Sequence, residues 1–259
     1  MIRTRAGSTP LVLSMPHVGR EFPAGLAARL TPRALAVPDT DWHVERLYAF
    51  ARARGAAWVE PRLSRYVVDL NRPPDDAALY AGQVSTGLCP HETFDGEALY
   101  TGAAPDAAEL AARREDYWQP YHAALATLLA AARARHGYAV LLDAHSIRSQ
   151  VPRLFTGRLP DINLGSNDGR ACDPALSAAV VAVVGSQARF SHVLDGRFKG
   201  GYITRHYGRP ADGVHALQIE LAQSAYMDES STAYDDARAA PLISVLGDVV
   251  AALLAFRPR

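Results

Sequence analysis

Four short apolar runs of this chain each end on a residue that can take part in chemistry. The residues at these ends are His17, Asn71 with Arg72, His145 and Glu220. Apolar runs of this length, bounded by polar turns, are typical of buried strands in an α/β sheet. Ligands and reactive groups gather beyond the carboxyl ends of such strands. We therefore expect these side chains to meet in one cleft, as in a metal-dependent hydrolase.

The two histidines indicate a metal site. Two imidazoles and one carboxylate, with a fourth position left for water, form a catalytic zinc set. Asp41 and Glu21 are the candidates for the carboxylate ligand. Glu21 is close to His17, but a nearby glycine and proline disfavour the helix that would direct it back; Asp41 could instead cap a helix N-terminus. We prefer Asp41, and expect zinc, with iron or cobalt as alternatives, bound by His17, Asp41 and His145.

Glu220 ends an otherwise apolar run, where a carboxylate must be paired or functional. Beside a metal site it could act as a general base and then pass the proton to a leaving amine. A buried salt bridge to an arginine is the alternative. Arg72 could clamp a substrate carboxylate, and Arg65 could polarise the scissile carbonyl. Ordinary ion pairing is the alternative for both arginines.

Five further residues are weaker candidates. Three of them either contact substrate or belong to a mobile loop: Arg148, Thr204 and Arg205. Two could orient the metal ligands or the general base without contacting substrate themselves: Asp143 and His215.

Length and composition bound the class of protein. A chain of 259 residues predicts a single α/β domain over residues 1–259. Zero formal net charge gives no reason to expect nucleic acid or an anionic membrane as partner. No signal peptide is recognised, residues 240–256 fall short of a bilayer span, and the two cysteines suit a reducing compartment. These features favour a cytoplasmic enzyme and leave its oligomeric state open.

The pattern of apolar and polar residues also predicts the elements. Strands are expected at 11–16, 57–60, 65–70, 138–143 and 215–221. Helices are expected from about 41 to 55, at 105–135 with an interruption near Pro120, at 174–184, and as a pair at 230–238 and 240–256. Loops are expected at 72–102, 161–174 and 198–214.

Seven motifs taken together resemble the N-formylglutamate amidohydrolases (N-formylglutamate deformylases) of histidine degradation, nearly end to end. The motifs lie at 14–19, 39–44, 64–74, 143–146, 160–165, 200–205 and 215–220. The resemblance implies a fold of the zinc-exopeptidase (phosphorylase/hydrolase-like) type, with a mixed, mostly parallel sheet flanked by helices. It also implies hydrolysis of N-formyl-L-glutamate to formate and L-glutamate, the last step of a histidine degradation route.

A more distant similarity to aspartoacylases, succinylglutamate desuccinylases and zinc carboxypeptidases implies roles for single residues. His17 and His145 would be zinc ligands, Arg65 would polarise the carbonyl, Asn71 and Arg72 would hold a substrate carboxylate, and Glu220 would be the general base. Those relatives carry a His-x-x-Glu pair that is absent here, because His17 is followed by Val18-Gly19-Arg20. Asp41 is therefore assigned by its position and not by a motif.

Two other functions stay open at this point. The first is a zinc hydrolase for another N-acyl acidic amino acid, which a comparison of substrates would distinguish. The second is a catalytically silent homologue that binds a metal or an amino acid. Glu220 and Arg65 favour an enzyme, since a binding protein needs neither. The expected partner is a small molecule with two carboxylates.

Overall fold

The computed structural model describes residues 1–77 and 86–258, and one mixed sheet runs through the centre of these residues. Its seven strands are β1 (Ile2–Arg5), β2 (Leu11–Ser14), β3 (Ala57–Pro61), β4 (Ala139–Ile147), β5 (Ile162–Gly165), β6 (His192–Leu194) and β7 (Val214–Ala222), in the order β1-β3-β2-β4-β7-β5-β6. The pairs β2–β3, β2–β4, β4–β7 and β5–β6 are parallel, whereas β1–β3 and β5–β7 are antiparallel. The expectation of an α/β fold with a mixed, mostly parallel sheet is confirmed.

Helices cover both faces of this sheet. They are α1 (Pro32–Leu35), α2 (Val44–Leu47), α3 (Ala49–Ala53), α4 (Ala107–Arg113), α5 (Gln119–His136), α6 (Pro174–Gly185), α7 (Tyr202–Tyr207) and α8 (Asp236–Ala255). A π-helical turn, Arg114–Trp118, joins α4 to α5, and 3-10 turns lie at Ala27–Arg29, Pro210–Asp212 and Gln223–Ala225. Helices α2, α3, α6 and α8 pack on one face of the sheet, and α5 and α7 on the other.

Successive side chains of the central strands point to opposite faces of the sheet and so contribute to two separate parts of the core. In β2, Leu11 and Leu13 belong to the cluster under α6 and α8, whereas Val12 belongs to the cluster under α5. Leu141 and Leu142 of β4 divide in the same way. Because successive side chains of a strand point to opposite faces, a strand covered on both sides is apolar throughout. This accounts for the continuous apolar runs in the sequence.

Helix α8 is the most apolar long helix of the described chain. Its length of 20 residues and a mean hydropathy of 1.7 over an 18-residue window would allow it to cross a bilayer. However, Leu242, Leu246 and Leu253 on one side of it are fully buried in the core. The prediction of two helices in this region is wrong, because one helix runs through Pro241. Asp235 caps its N-terminus upstream of the proline, which holds the first turn in place.

The prediction of a strand at 65–70 is also wrong. The chain forms turns there, although Val67 and Leu70 are buried. Side chains replace the partner strand: Arg113 donates to the Val67 carbonyl at 3.0 Å, and His122 contacts the Leu70 carbonyl at 2.9 Å. The backbone is therefore satisfied without a sheet ladder.

Other boundaries differ in detail. The strands predicted at 57–60, 138–143 and 215–221 are present, and each extends beyond its predicted C-terminal end. The loops predicted at 161–174 and 198–214 contain β5 and α7. The helix predicted from 41 to 55 is two short helices, and Pro120 lies in the first turn of α5 without stopping the helical path. Of the 72–102 loop, residues 78–85 lie outside the described residues.

Candidate metal centre and active site

The order of the strands brings three separate parts of the sequence to one edge of the sheet. His17 follows β2, and the neighbouring parallel strand β4 carries His145 near its carboxyl end. Glu220 of β7 lies beside His145 in register. Asp41 joins them because its backbone N–H donates to the His17 carbonyl at 3.1 Å. The carboxyl edge of the parallel strands thus forms the site, as the sequence predicts.

His17, Asp41 and His145 form a buried group that could hold a metal ion. One nitrogen or oxygen from each lies within 4.8 Å of the others. Asp41 Oδ2 is 2.9 Å from Nδ1 of His145 and 3.7 Å from Nδ1 of His17. Two imidazole nitrogens and a carboxylate suit zinc and related divalent ions. The donor set therefore fits the expected cofactor, and Asp41 occupies the position of the carboxylate.

Each histidine has a second carboxylate on its far nitrogen. His17 Nε2 lies 2.7 Å from Asp69 Oδ1, and His145 Nε2 lies 3.1 Å from Asp143 Oδ1. A carboxylate in this position fixes the tautomer and the ring orientation of a metal-binding histidine, and makes the other nitrogen a better ligand. Both Nδ1 atoms are thereby directed towards Asp41.

Asp69 is a residue that sequence reasoning missed. It lies in the apolar run at 66–70 and is completely buried. The argument that singled out Glu220, a carboxylate inside an apolar run, applies equally to it. Burial opposes its ionisation, but the charges of Arg65 and His17 outweigh that effect and hold the pKa of Asp69 well below its usual range.

Arg65 lines the cleft beside this group. Its Nη2 donates to Asp69 Oδ2 at 2.6 Å, and its Nη1 is 3.9 Å from Asp41 Oδ1. Its guanidinium carbon is 4.7 Å from the centre of the Phe94 ring. These contacts fix a positive charge next to the candidate metal ligands.

Glu220 lines the same cleft without an arginine as hydrogen-bond partner in the described chain. Gln218 Nε2 donates to its Oε2 at 3.2 Å. Burial raises the pKa of Glu220 to about 8; His145 opposes this shift and Asp41 adds to it. A carboxyl group whose pKa lies near neutrality is suited to accept and return a proton.

Asn71 and Arg72 complete the part of the cleft next to the histidines. Asn71 Nδ2 is 3.0 Å from His145 Nε2, and its Oδ1 accepts from the backbone N–H of Ile203 at 2.8 Å. A Cβ on Gly201 would lie 2.3 Å from Asn71 Nδ2, so only glycine permits this approach. Arg72 Nε donates to the Thr86 carbonyl at 2.7 Å.

Three predicted candidates do not line the cleft. Arg148 Nη2 donates to Asp95 Oδ1 at 2.9 Å. Arg205 Nε donates to the Gly200 carbonyl at 2.8 Å. Thr204 is buried behind the site, where its hydroxyl donates to Asp143 Oδ2 at 3.3 Å. Thr204 thus contacts a carboxylate that supports a ligand, and does not face the cavity.

Two others lie away from the site. His215 is the second residue of β7, and its Nδ1 accepts from the Asp173 backbone N–H at 3.1 Å. Since it is five residues before Glu220, it faces the other side of the sheet, roughly 16 Å along the strand. The alternative ligand Glu21 has a half-exposed side chain, at 54%, and pairs with Arg62 at 2.9 Å.

The cleft has a volume of about 90 Å³. Its lining includes Arg197 and Phe198, which sequence reasoning also missed. Neither ends an apolar run, so the signal that located the other residues was absent. Only the approach of two loops in space brings them to the site.

This arrangement defines a class: an α/β protein with a buried His–Asp–His group at the carboxyl ends of its parallel strands. Comparison with known families identifies it further. The pattern of the N-formylglutamate amidohydrolase family matches residues 9–227. The chain belongs to this family and is an amidohydrolase.

Individual relatives agree with this assignment. The chain is 51% identical over 254 residues to an N-formylglutamate deformylase of Pseudomonas aeruginosa, covering 97% of this chain and 95% of the relative. An N-formylglutamate deformylase of Pseudomonas putida is 49% identical over 252 residues, covering 96% and 94%.

Solved structures agree in fold. An N-formylglutamate amidohydrolase from Ralstonia eutropha JMP134 matches with a TM-score of 0.80 at 26% identity, covering 98% of this chain and 95% of that one. A gene product of Agrobacterium tumefaciens matches with a TM-score of 0.71 at 21% identity, covering 97% and 95%, and shows the fold alone.

Proposed function

We propose that this protein hydrolyses N-formyl-L-glutamate to formate and L-glutamate at a metal centre held by His17, Asp41 and His145. The observation that carries the proposal is the meeting of this donor set with Glu220 in one small cleft. Identity of about half to two N-formylglutamate deformylases, over nearly the whole chain, supports the choice of substrate.

A bound divalent ion, for which zinc is the expected choice, supplies the Lewis acidity that activates water and polarises the formyl carbonyl. Asp69 and Asp143 keep the two imidazoles in the orientation and tautomer that binding requires. Thr204 holds Asp143 in turn.

Glu220 moves the proton. As water adds to the formyl carbon, Glu220 accepts one of its protons, and it gives that proton to the amide nitrogen as the C–N bond breaks. The products are formate and the amine of glutamate, so atoms and protons balance. Burial of Glu220 raises its pKa above the ordinary value, which strengthens it as a proton acceptor once it is ionised.

Arg65 stabilises the negative charge that develops on the carbonyl oxygen. Its ion pair with Asp69 holds the guanidinium in place before substrate arrives, so no reorganisation is needed during the reaction. Asn71 and Arg72, which line the cleft beside His145, hold the substrate carboxylate next to the formyl group.

The resemblance to the enzymes of histidine degradation suggests the place of the reaction. We propose that it is the last step of such a route and takes place in the cytoplasm. Formate would leave as the small product, and glutamate would enter general metabolism.

A comparison of acyl groups tests the substrate. We expect purified, zinc-loaded protein to hydrolyse N-formyl-L-glutamate and to turn over N-acetyl- and N-succinyl-L-glutamate at least about 100-fold less efficiently, since the cleft is small. Faster turnover of either larger substrate would assign the enzyme to another N-acyl amino acid. Tight binding of zinc and glutamate without hydrolysis of any of them would indicate a silent binding protein.

A further inference from the structure

A third arginine, Arg197, faces the cleft together with Arg65 and Arg72. It is half-buried, and its Nε donates to the Leu154 carbonyl at 2.9 Å. Within residues 1–77 and 86–258, neither of its Nη atoms has a hydrogen-bond or ion-pair partner. A guanidinium held at Nε, with its Nη groups at a cavity, presents the donors that a carboxylate accepts.

The loop that carries Arg197 is fixed on both sides. Before it, Asp195 adopts a positive φ of 50°, its N–H donates to the Leu164 carbonyl at 2.8 Å, and its Oδ1 accepts from the Ser166 N–H at 2.7 Å. After it, Phe198 packs edge-on against Phe155, with ring centres 6.1 Å apart. The guanidinium is therefore held in position before any ligand binds, which reduces the entropy lost on binding.

The three arginines of the cleft differ in what surrounds them. Arg65 is ion-paired with Asp69 and lies close to Asp41, so it is held beside the candidate metal ligands. Arg72 directly follows Asn71, whose side-chain amide contacts His145, so Arg72 lies on the same wall of the cleft as the histidines. Arg197 lies on a separate wall, formed by the loops that follow β4 and β6.

We propose that Arg197 binds the side-chain carboxylate of the substrate and thereby selects acidic N-formyl amino acids over neutral ones. This inference rests on the proposed function and extends it to the end of the substrate remote from the formyl group. An ion pair in a half-buried cleft, with up to two N–H···O bonds, discriminates strongly against a neutral amide of the same shape.

The test compares two substrates that differ only in that charge. Holoenzyme and its Arg197→Gln variant are assayed with N-formyl-L-glutamate and N-formyl-L-glutamine. We expect the variant to lose about 100-fold in kcat/KM for the glutamate substrate, mainly through KM, and to change less than about twofold for the glutamine substrate. Arg197→Lys should recover part of the loss. Arg170→Gln, at an exposed site bonded to Asn167, is the matched control and should behave as wild type.

Binding of the amino-acid product provides a readout independent of turnover. Calorimetry with zinc-loaded protein should show L-glutamate, but not L-glutamine, bound more weakly by the Arg197→Gln variant. Equal losses for both substrates, or no loss for either, would overturn the assignment of Arg197, provided that the variant keeps its metal and melting temperature. If wild-type holoenzyme hydrolyses neither substrate, the proposed function fails, and the calorimetric comparison still decides whether Arg197 recognises the carboxylate.

Discussion

His145 and His122 are buried to nearly the same extent, with 3% and 5% of their surfaces exposed, yet they have opposite surroundings. Around His145 are the carboxylates of Asp41 and Asp143. Around His122 are neutral groups: the Leu70 carbonyl, the Tyr207 hydroxyl and the ring of Trp118, whose centre is 3.8 Å away.

The surroundings decide the charge. Burial opposes protonation of both rings. For His145 the two aspartates outweigh it and raise the pKa well above its ordinary value. For His122 burial prevails and lowers the pKa to about 3. Burial alone therefore does not set the charge of a histidine, and the carboxylates on both ring nitrogens are what distinguish His145 from His122. His122 donates to the Leu70 carbonyl and so supports the segment that carries Asp69 and Asn71.

The largest contrast should come from deleting each ring. We expect His145→Ala to lose bound metal and to reduce formate release to the uncatalysed background, because a ligand is removed. His122→Phe should keep stoichiometric metal. Metal analysis of both purified variants checks this. Full metal occupancy in His145→Ala would contradict the role of His145 as a metal ligand and the contrast with His122.

Glu220→Gln should separate proton transfer from metal binding. We expect turnover to fall about 10³-fold with metal retained, since a general base typically contributes 10²–10⁴-fold. Turnover within tenfold of wild type would exclude Glu220 as the base.

The same substitution should also change stability. The raised pKa of Glu220 means that the folded chain favours the protonated form. This contribution is complete below the ordinary pKa of 4.5 and is lost as pH rises through about 8. Metal-free Glu220→Gln should therefore melt at a higher temperature than metal-free wild type at pH 8, with little difference at pH 5. Thermal melts at the two pH values check the sign.

Asp69→Asn tests the carboxylate behind His17. We expect metal affinity to weaken about 10- to 100-fold, the usual effect of losing such a partner. Competition with a chromophoric chelator measures it. The control is Asp95→Asn, because the Asp95 carboxylate pairs with Arg33 and Arg148 and not with a histidine. Equal affinities in the two variants would mean that Asp69 only neutralises Arg65.

His122→Phe should act on stability alone. The Leu70 carbonyl loses its donor, so we expect a loss of about 1–3 kcal/mol in the free energy of unfolding. In wild type the depressed pKa of His122 makes stability fall as pH drops from about 6.5 towards 3. The variant, which lacks this titration, should show a flatter profile there. Denaturant unfolding at pH 7 and 5 measures both effects. If the free energy of unfolding changed equally with pH in the variant and in wild type, the neutral state of His122 would be contradicted.

The smallest effect is expected at Glu21. Its ion pair with Arg62 is half-exposed, so Glu21→Gln should alter stability by no more than about 0.5–1 kcal/mol and leave metal content unchanged. Loss of metal in this variant, measured against Asp41→Asn, would reverse the choice between the two carboxylates.

The sequence predicted which strand residues come together at the candidate site. His145 and Glu220 end apolar runs, and parallel neighbours β4 and β7 place them side by side in register. The preference for Asp41 over Glu21 agrees with the buried group that it forms with the histidines. These residues could be found because strand ends in an α/β sheet share one edge.

What could not be predicted depends on contacts between distant loops. Residues 65–70 are buried and apolar like a strand, but the donors on Arg113 and His122 that replace a partner strand come from α4 and α5. Arg197 reaches the cleft because its loop is held by Leu154 and Ser166. Contacts of this kind cannot be predicted from the local pattern of apolar and polar residues in the sequence. The position of His215 could have been predicted, since it lies five positions before Glu220 on one strand, and an odd offset places two side chains on opposite faces.

The most direct test of the account is formate release from N-formyl-L-glutamate by purified protein, with and without a chelator, followed by addition of zinc. We predict rapid release that the chelator abolishes and zinc restores. Release that is unaffected by complete removal of metal would contradict the metal centre at His17, Asp41 and His145. No release from zinc-loaded protein would contradict the proposed reaction itself.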